Sequence, residues 1–302
     1  MYYFIVNPTS RSGEGKRVWK QLEVTLKEKN IEYEVFYTQY PGHGTKIAKK
    51  CARVSNAKII ALGGDGTIDE VINGLPLNGT ATVGFIPIGS GNDFARGMQL
   101  PVEPEKALER ILNAGEGTPM DIGVVQTPKK LSHFGISSGF GYDADVCYEV
   151  SHSSIKKVLN FLHLGKLVYA YAAIKLIFTF RPSDVDLVLD DKETFHFKKT
   201  YLISAMNLQY QGGGFRFCPE ASYTDGELDF LIAHGLPKLA ILMLFPTAYF
   251  GKHIYIPGIK IIRGKKLQIR SNIPQKIHED GEFIGISNQL TYTVKKQSLK
   301  FL

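Results

Sequence analysis

Cysteine is scarce in this sequence: three residues, Cys51, Cys147 and Cys218, among 302. They are odd in number and far apart, and no C-x-x-C pair occurs, which argues against a disulfide framework or a structural zinc site. A reducing cytoplasm is the expected compartment. Long apolar runs are missing too. The N-terminus, Met1-Tyr2-Tyr3-Phe4-Ile5-Val6-Asn7-Pro8, has no basic n-region and is too short for a signal peptide's apolar core, so it reads as a first β-strand. The most apolar later stretch, Leu236 to Phe250, contains Pro237, Lys238 and Pro246. It falls short of the ~20 apolar residues a spanning helix needs, so membrane contact is expected to be peripheral. No internal repeat, low-complexity tract or Walker A loop is present.

At 302 residues the chain has room for two domains. Hydrophobic residues make up 44% and charged residues 22%, which is ordinary for a globular protein. The 36 Lys+Arg against 29 Asp+Glu leave +7, an excess that favours an anionic partner without choosing among nucleic acid, membrane and phosphorylated ligand. The first ~120 residues alternate short apolar runs with helical patterns, as in βαβ units and a mainly parallel sheet. Strands are expected at Tyr2–Val6, Tyr33–Tyr37, Lys58–Leu62 and Thr82–Ile86. Helices are expected over Lys16–Lys29, Thr45–Arg53, a short segment from Thr67, Asp93–Met98 and Pro104–Ala114. After Asp121 the pattern changes. Short strands at Val185–Leu189, Thr200–Ala205, Leu228–Ile232, Lys260–Ile262, Leu267–Arg270 and Gln289–Val294, with turn residues between them, point to an antiparallel sandwich. One helix, about Leu164–Phe178, interrupts it.

Three polar, glycine-rich loops follow strands of the first region. Lys58-Ile59-Ile60-Ala61-Leu62 runs into Gly63-Gly64-Asp65-Gly66-Thr67 and then a helix. Strand, glycine loop and helix N-terminus present backbone N–H groups and a positive dipole to phosphate, and glycine lets phosphate approach. Asp65 beside phosphate calls for a cation or hydroxyl between them, which hints at Mg²⁺. The pentapeptide alone equally fits a tight turn with Asp65 as the helix cap. Ile86-Pro87-Ile88-Gly89-Ser90-Gly91-Asn92-Asp93-Phe94-Ala95-Arg96 repeats the design, with Ser90 and Asn92 offering polar groups. Asn7-Pro8-Thr9-Ser10-Arg11-Ser12-Gly13-Glu14-Gly15-Lys16 forms the third loop. Parallel sheets bind ligands beyond the carboxyl ends of their strands, so such loops share one crevice.

Together, NPTS, GGDGT and IPIGSGNDFAR resemble the diacylglycerol kinase catalytic-domain family, which includes soluble bacterial lipid kinases and the sphingosine and ceramide kinases. The resemblance continues through Gly139-Phe140-Gly141-Tyr142-Asp143-Ala144, Gly212-Gly213-Gly214 to Cys218-Pro219, Thr224-Asp225-Gly226-Glu227-Leu228-Asp229 and Asp280-Gly281-Glu282. It implies an NAD kinase- and phosphofructokinase-like α/β nucleotide domain over residues 1–122 and a β-sandwich lipid domain over 123–292. A final strand, about 293–302, would return to the first domain. ATP is the implied donor and a lipid hydroxyl the acceptor, diacylglycerol first, with sphingoid, ceramide-type or phosphatidylglycerol-type acceptors open.

Carried over by motif, the implied nucleotide contacts are Asn7, Pro8, Thr9, Ser10, Arg11, Thr38, Gly63, Gly64, Asp65, Gly66, Thr67, Ile68, Asp69, Glu70, Ser90, Asn92 and Asp93. Arg11 stands where many members have Gly, Asp69 where Asn is usual and Ser90 where Thr is usual. The TDGELD segment implies a structural Mg²⁺ loop built on Asp225 with carbonyls near Ser222 and Glu227, although Asp225-Gly226 alone reads as a hairpin turn. Asp280 or Glu282 would accept the hydroxyl proton, with Asp65 organising Mg²⁺ at the phosphates. The Leu164–Phe178 helix, apolar nearly all round, reads as core first; the alternative is a wall of an acyl channel near Lys156, Lys157 and Lys166. NAD kinases share GGDG but carry an Asn-Glu dipeptide that is absent here. A non-catalytic nucleotide or lipid sensor would not need Asp65, Asp225, Asp280 and Glu282. The resulting expectation is a cytoplasmic enzyme of phospholipid metabolism at the membrane surface, not a nucleic-acid binder, with a homodimer left open.

Overall fold

The computed structural model describes residues 1–152 and 165–302, and only the backbone at 165–170 and 245. The chain divides into two compact units, residues 1–122 with 295–302, and residues 123–294.

The first unit is an α/β layer. Strands β1 (Tyr2–Val6), β2 (Tyr33–Tyr37), β3 (Lys58–Gly63) and β4 (Thr82–Pro87) pair in parallel in the order β2-β1-β3-β4. β3 and β4 are apolar along their whole length and buried on both faces, as parallel strands flanked by helices must be. One face is covered by α1 (Ser10–Glu28) and α5 (Pro104–Asn113) through Val18, Trp19, Leu22, Leu26, Leu108 and Ile111. The remaining helices are α2 (His43–Cys51), α3 (Asp65–Gly74) and the short α4 (Asp93–Gly97). α2 and α3 approach so closely that a Cβ on Gly74 would lie 2.5 Å from the Thr45 carbonyl. At the chain's end, Lys300 and Phe301 pair with Thr82 and Val83 of β4.

The second unit is antiparallel. β5 (Thr118–Gln126) leads into β6 (Leu131–Phe134), β7 (Ser137–Gly141), β8 (Ser183–Leu189), β9 (Glu193–Met206), the short β10 (Tyr210–Gln211) and β11 (Phe215–Arg216), β12 (Leu228–His234), β13 (Ile259–Gly264), β14 (Lys266–Glu279) and β15 (Glu282–Phe301). Its helices are α6 (Tyr142–His152), α7 (Gly165–Ile177) and α8 (Lys238–Tyr249). Phe134, Phe140, Leu187, Ile203, Phe230, Ile269, Ile277 and Tyr292 fill the sandwich interior.

Three features differ from the sequence expectations, each for a physical reason. β9, β14 and β15 are far longer than the segments anticipated, because long strands change partners along their length. β14 pairs with β8 at Leu267–Ser271 and with β7 at Ile277–Glu279. The segment between them, with Pro274, looked like a turn but is a break in the β14–β15 register that bends the strand. Secondly, three helices are described here, not one. α8 is apolar all round and carries Pro246, so no 3.6-residue periodicity marked it. Thirdly, α1 begins through a left-handed stretch, Arg11 (φ 47°), Ser12 (φ 59°) and Gly13 (φ 99°), so regular helix starts only near the expected Lys16. α7 agrees with the expected helix from Gly165 onward; Leu164, Lys156 and Lys157 lie outside the described residues.

Candidate active site

The four loops at the carboxyl ends of β1 to β4 are fastened to one another by short polar contacts. In the first, Asn7 Oδ1 accepts the Thr9 N–H (3.1 Å) and hydroxyl (2.9 Å), while its Nδ2 donates to Thr67 Oγ1 at 3.3 Å. α1 sits so near this loop that a Cβ on Gly15 would meet the Asn7 carbonyl at 2.0 Å. In the second, Gly63 leaves room for Thr67, whose Oγ1 would be 2.2 Å from any Cβ there. The third packs backbone on backbone, since a Cβ on Gly89 would fall 2.8 Å from the Gly64 Cα. Gly89 is therefore needed for approach of the two loops.

Asp65 ties these two loops. Its Oδ2 accepts the Asp93 N–H (3.2 Å) and its Oδ1 the Phe94 N–H (3.1 Å), at the start of α4. Burial pushes its carboxyl above the ordinary range, opposed by the N–H groups of Phe94, Asp93 and Asn92 and by Arg96. Glu70 does the same work for the fourth loop, accepting the N–H groups of Gly42 (2.6 Å) and Gly44 (2.7 Å) at the start of α2. Thr38 opens that loop, its N–H bonded to the Val6 carbonyl.

Several of the residues expected at the nucleotide use their side chains to brace the loops. Ile68 and Thr67 are buried, and Asp69 is buried with Oδ1 2.9 Å from Asn73 Nδ2. Asp93 is buried against Arg96 (2.8 Å), and Glu70 and Asp65 are engaged as described. The reason is geometric: residues in the first turn after a strand face the neighbouring loop as often as the ligand. Thr9, Arg11, Gly66 and Ser90 are exposed, and Pro8 and Ser10 partly so. Asn92 takes a left-handed conformation (φ 52°) and its buried Oδ1 has no partner, an open polar group among the loops.

In the second unit the acidic turn is a two-residue hairpin. β14 ends at Glu279 opposite Glu282 of β15, and Asp280 (φ 42°) and Gly281 (φ 90°) form the left-handed corner that Asp-Gly favours. The two candidate bases sit in opposite environments. Asp280 accepts three backbone N–H groups, from Gly135 (2.8 Å), Ile136 (2.9 Å) and Ser137 (2.8 Å). Burial raises its carboxyl above the ordinary Asp range, opposed by those three donors. Glu282 is exposed.

Two groups around this turn carry no signal as a sequence motif. Glu279 is 5% exposed, its Oε2 has no partner, and burial followed by the charge of Asp280 pushes its carboxyl upward, against Ser132, Lys130 and His278. His278 is fully buried, with Nδ1 accepting the Gly281 N–H (3.3 Å) and Nε2 3.3 Å from Asp143 Oδ2. Only the sheet register brings Asp143 and His278 together.

The TDGELD segment is not the hairpin turn its Asp-Gly suggests. It ends the loop between β11 and β12, with Asp225 Oδ1 accepting the Glu227 N–H at 3.0 Å and the hydroxyls of Ser222 and Thr224 3.2 Å apart. Asp225 is exposed. One carboxylate with hydroxyls and carbonyls is an oxygen-only set of the type a hard, water-retaining cation accepts. Among the described residues no group of three or more His, Cys, Asp and Glu could hold a metal ion. Arg263 already bridges to Asp229 (2.6 and 3.0 Å) and to the Glu220 carbonyl (3.1 Å) in the same acidic surround.

The diacylglycerol kinase catalytic domain model matches residues 1–125, and the YegS C-terminal NAD kinase beta sandwich-like domain model matches residues 137–302. The chain is 30% identical over 285 residues to the diacylglycerol kinase of Bacillus subtilis (strain 168), covering 93% of this chain and 89% of that protein. It shares its fold with the crystal structure of a diacylglycerol kinase from Bacillus anthracis str. Sterne, at TM-score 0.72 and 20% identity over 99% of this chain and 95% of the other. An NAD kinase from Archaeoglobus fulgidus in complex with ATP superposes at TM-score 0.55 and 14% identity, over 100% and 93% of the two chains. The chain therefore belongs to the diacylglycerol kinase catalytic-domain family, an ATP-using lipid kinase with an α/β catalytic domain and an NAD kinase-like β-sandwich.

Proposed function

We propose that the chain transfers the γ-phosphate of ATP to the hydroxyl of diacylglycerol, giving phosphatidate, with Glu282 as the base. The observation that carries the choice of base is the contrast within one turn: Asp280 is saturated by three backbone N–H groups, whereas Glu282 is exposed beside it. The acceptor oxygen bonds to the γ-phosphorus, the bond from that phosphorus to the bridging oxygen breaks, ADP leaves, and the hydroxyl proton passes to a Glu282 oxygen. The domain at 1–122 takes the nucleotide, with Thr9, Ser10, Ser90 and the backbone from Gly63 to Thr67 at the phosphates. The domain at 123–292 takes the lipid. Asp225, with carbonyls near Ser222 and Glu227, would hold Mg²⁺, which when bound neutralises local carboxylate charge and orders the loop.

The membrane-surface reading is supported by charge and exposure together. Among the described residues no helix is long and apolar enough to cross a membrane. α7 buries Ala172, Ala173 and Ile177 in the core and leaves Tyr171, Ile174 and Phe178 exposed. α8 likewise exposes Leu239 and Met243, the latter 72% exposed. Neither 150–183 nor 230–278 contains an Asp or Glu, while Lys and Arg number five and eight in them. Apolar side chains exposed on two helices whose segments carry an excess of Lys and Arg suit an anionic lipid surface.

The test is a thin-layer assay with γ-labelled ATP and vesicles containing diacylglycerol, sphingosine, ceramide or phosphatidylglycerol. Labelled phosphatidate is expected. Label in another lipid overturns the acceptor, and no labelled lipid with ATP binding intact overturns the kinase reading of this chain.

A further inference from the structure

Polar groups are costly to bury, so a buried polar cluster asks for an explanation. Beneath the Asp280-Gly281-Glu282 turn lies such a group. His278 is fully buried, Asp143 is 8% exposed, and the Gln211 amide nitrogen lies 3.3 Å from His278 Nε2. Gly139 makes room for them: a Cβ there would sit 2.0 Å from Asp143 Oδ2 and 2.4 Å from His278 Nε2. The other Asp143 oxygen accepts the Ala144 N–H at 2.9 Å.

Hydrogen-bond polarity fixes what this cluster does. A backbone N–H can only donate, so the Gly281 N–H requires a lone pair on His278 Nδ1. In the neutral ring the proton then resides on Nε2, where Asp143 Oδ2 is the acceptor and the Gln211 amide must turn its oxygen rather than its nitrogen toward the ring, its nitrogen then donating to Ser204 Oγ. Asp143 thus selects the tautomer that leaves Nδ1 free to hold Gly281. The peptide between Asp280 and Gly281 is held on one side by Asp280's three N–H bonds and on the other by His278, which sets where the strand carrying Glu282 begins. We infer that Asp143 and His278 are positioning residues that orient the turn presenting Glu282 to the acceptor hydroxyl. The inference rests on the reading of Glu282 as the base.

Three variants test it, because amide side chains mimic the two ring nitrogens separately. His278→Asn keeps an oxygen near Nδ1, whereas His278→Gln reaches toward Nε2 and leaves Gly281 without an acceptor. Asp143→Asn can offer an N–H to Nε2, which drives the proton to Nδ1 and removes the same acceptor. Each is assayed on the full chain with the lipid acceptor identified by the panel above, beside exchange of the Gly281 amide followed by NMR. His278→Gln and Asp143→Asn should lower kcat about tenfold or more with KM for ATP unchanged, and His278→Asn should restore most of it. The Gly281 amide should exchange fast in the first two and slowly in the wild type and His278→Asn. Equal kcat loss in both His278 variants, or slow exchange in His278→Gln, overturns the proposal. The exchange readout needs no activity. The expected exchange pattern alongside a fully active Glu282→Gln therefore condemns the base assignment and leaves the anchoring of the turn standing.

Discussion

The loops of the α/β unit and the acidic turn of the sandwich solve one problem, holding a short irregular segment still, by different means. The loops are fixed chiefly by what is absent: a Cβ on Gly15, Gly63 or Gly89 would fall 2.0 to 2.8 Å from a neighbouring atom, so the observed approach leaves no room for a side chain there. The turn is fixed by what is added, a buried carboxylate on three N–H groups and a histidine on a fourth. The α/β unit also uses two carboxylates in the sandwich's style, since Asp65 and Glu70 staple helix N-termini as Asp280 staples the 135–137 backbone. The lesson is that an acidic residue in a kinase-like motif need not face the substrate. Asp65, Glu70 and Asp280 all satisfy backbone donors, and Glu282 alone of the motif's acidic turn is left exposed.

The comparison can be broken in five places. The largest effect is expected at Glu282→Gln, a loss of about 10²-fold or more in kcat with unchanged melting temperature. Steady-state lipid phosphorylation checks it, and full activity would return the role to another group. Asp280→Asn should instead destabilise the fold by about 2–3 kcal/mol, because its amide turns a donor toward three N–H groups, and urea unfolding reads this directly. Gly89→Ala should cost a similar amount, about 2 kcal/mol, and weaken ATP binding by calorimetry, because the two phosphate loops must part. An unaffected Gly89→Ala would show that the loops are not locked by close approach.

Glu279 gives a pH-dependent case. Its folded carboxyl titrates at about 7, above the ordinary Glu range near 4.5, so between those values the unfolded chain releases its proton first. Stability from this residue is therefore present at low pH, falls as pH rises through that window and is flat above it. Glu279→Gln should remove the fall and raise stability at pH 8 by about 1–2 kcal/mol, seen as a flatter plot of melting temperature against pH. The smallest effect is at Arg11, whose φ of 47° is left-handed. Arg11→Gly should stabilise the chain by about 0.5–1 kcal/mol in urea titrations, since relief of backbone strain outweighs the exposed 3.3 Å pair with Glu14.

Legibility followed the range of the interactions. β1 to β4 and their loops were visible because a buried strand followed by glycines is a local pattern. The hairpin at Asp280-Gly281 was visible for the same reason. The missed elements were those without local periodicity: β5 to β7, α6, and the apolar α8. For the expected ligand contacts at Asp69, Glu70 and Asp93 the motif names a residue without the direction its side chain takes. Asp69 turns to Asn73 one helical turn on, and Glu70 to a loop 26 to 28 residues earlier.

By itself the sequence determined the order of strands and glycine loops, the α/β-then-antiparallel organisation, and the pool of acidic residues from which a base is drawn. Sequence spacing carries those because they depend on neighbours within a few residues. Only the tertiary structure decided which of two adjacent acids is anchored and which is exposed. Three N–H groups from the 135–137 backbone, some 140 residues away, claim Asp280, and His278, itself paired with Asp143 135 residues away, holds the glycine that follows Asp280.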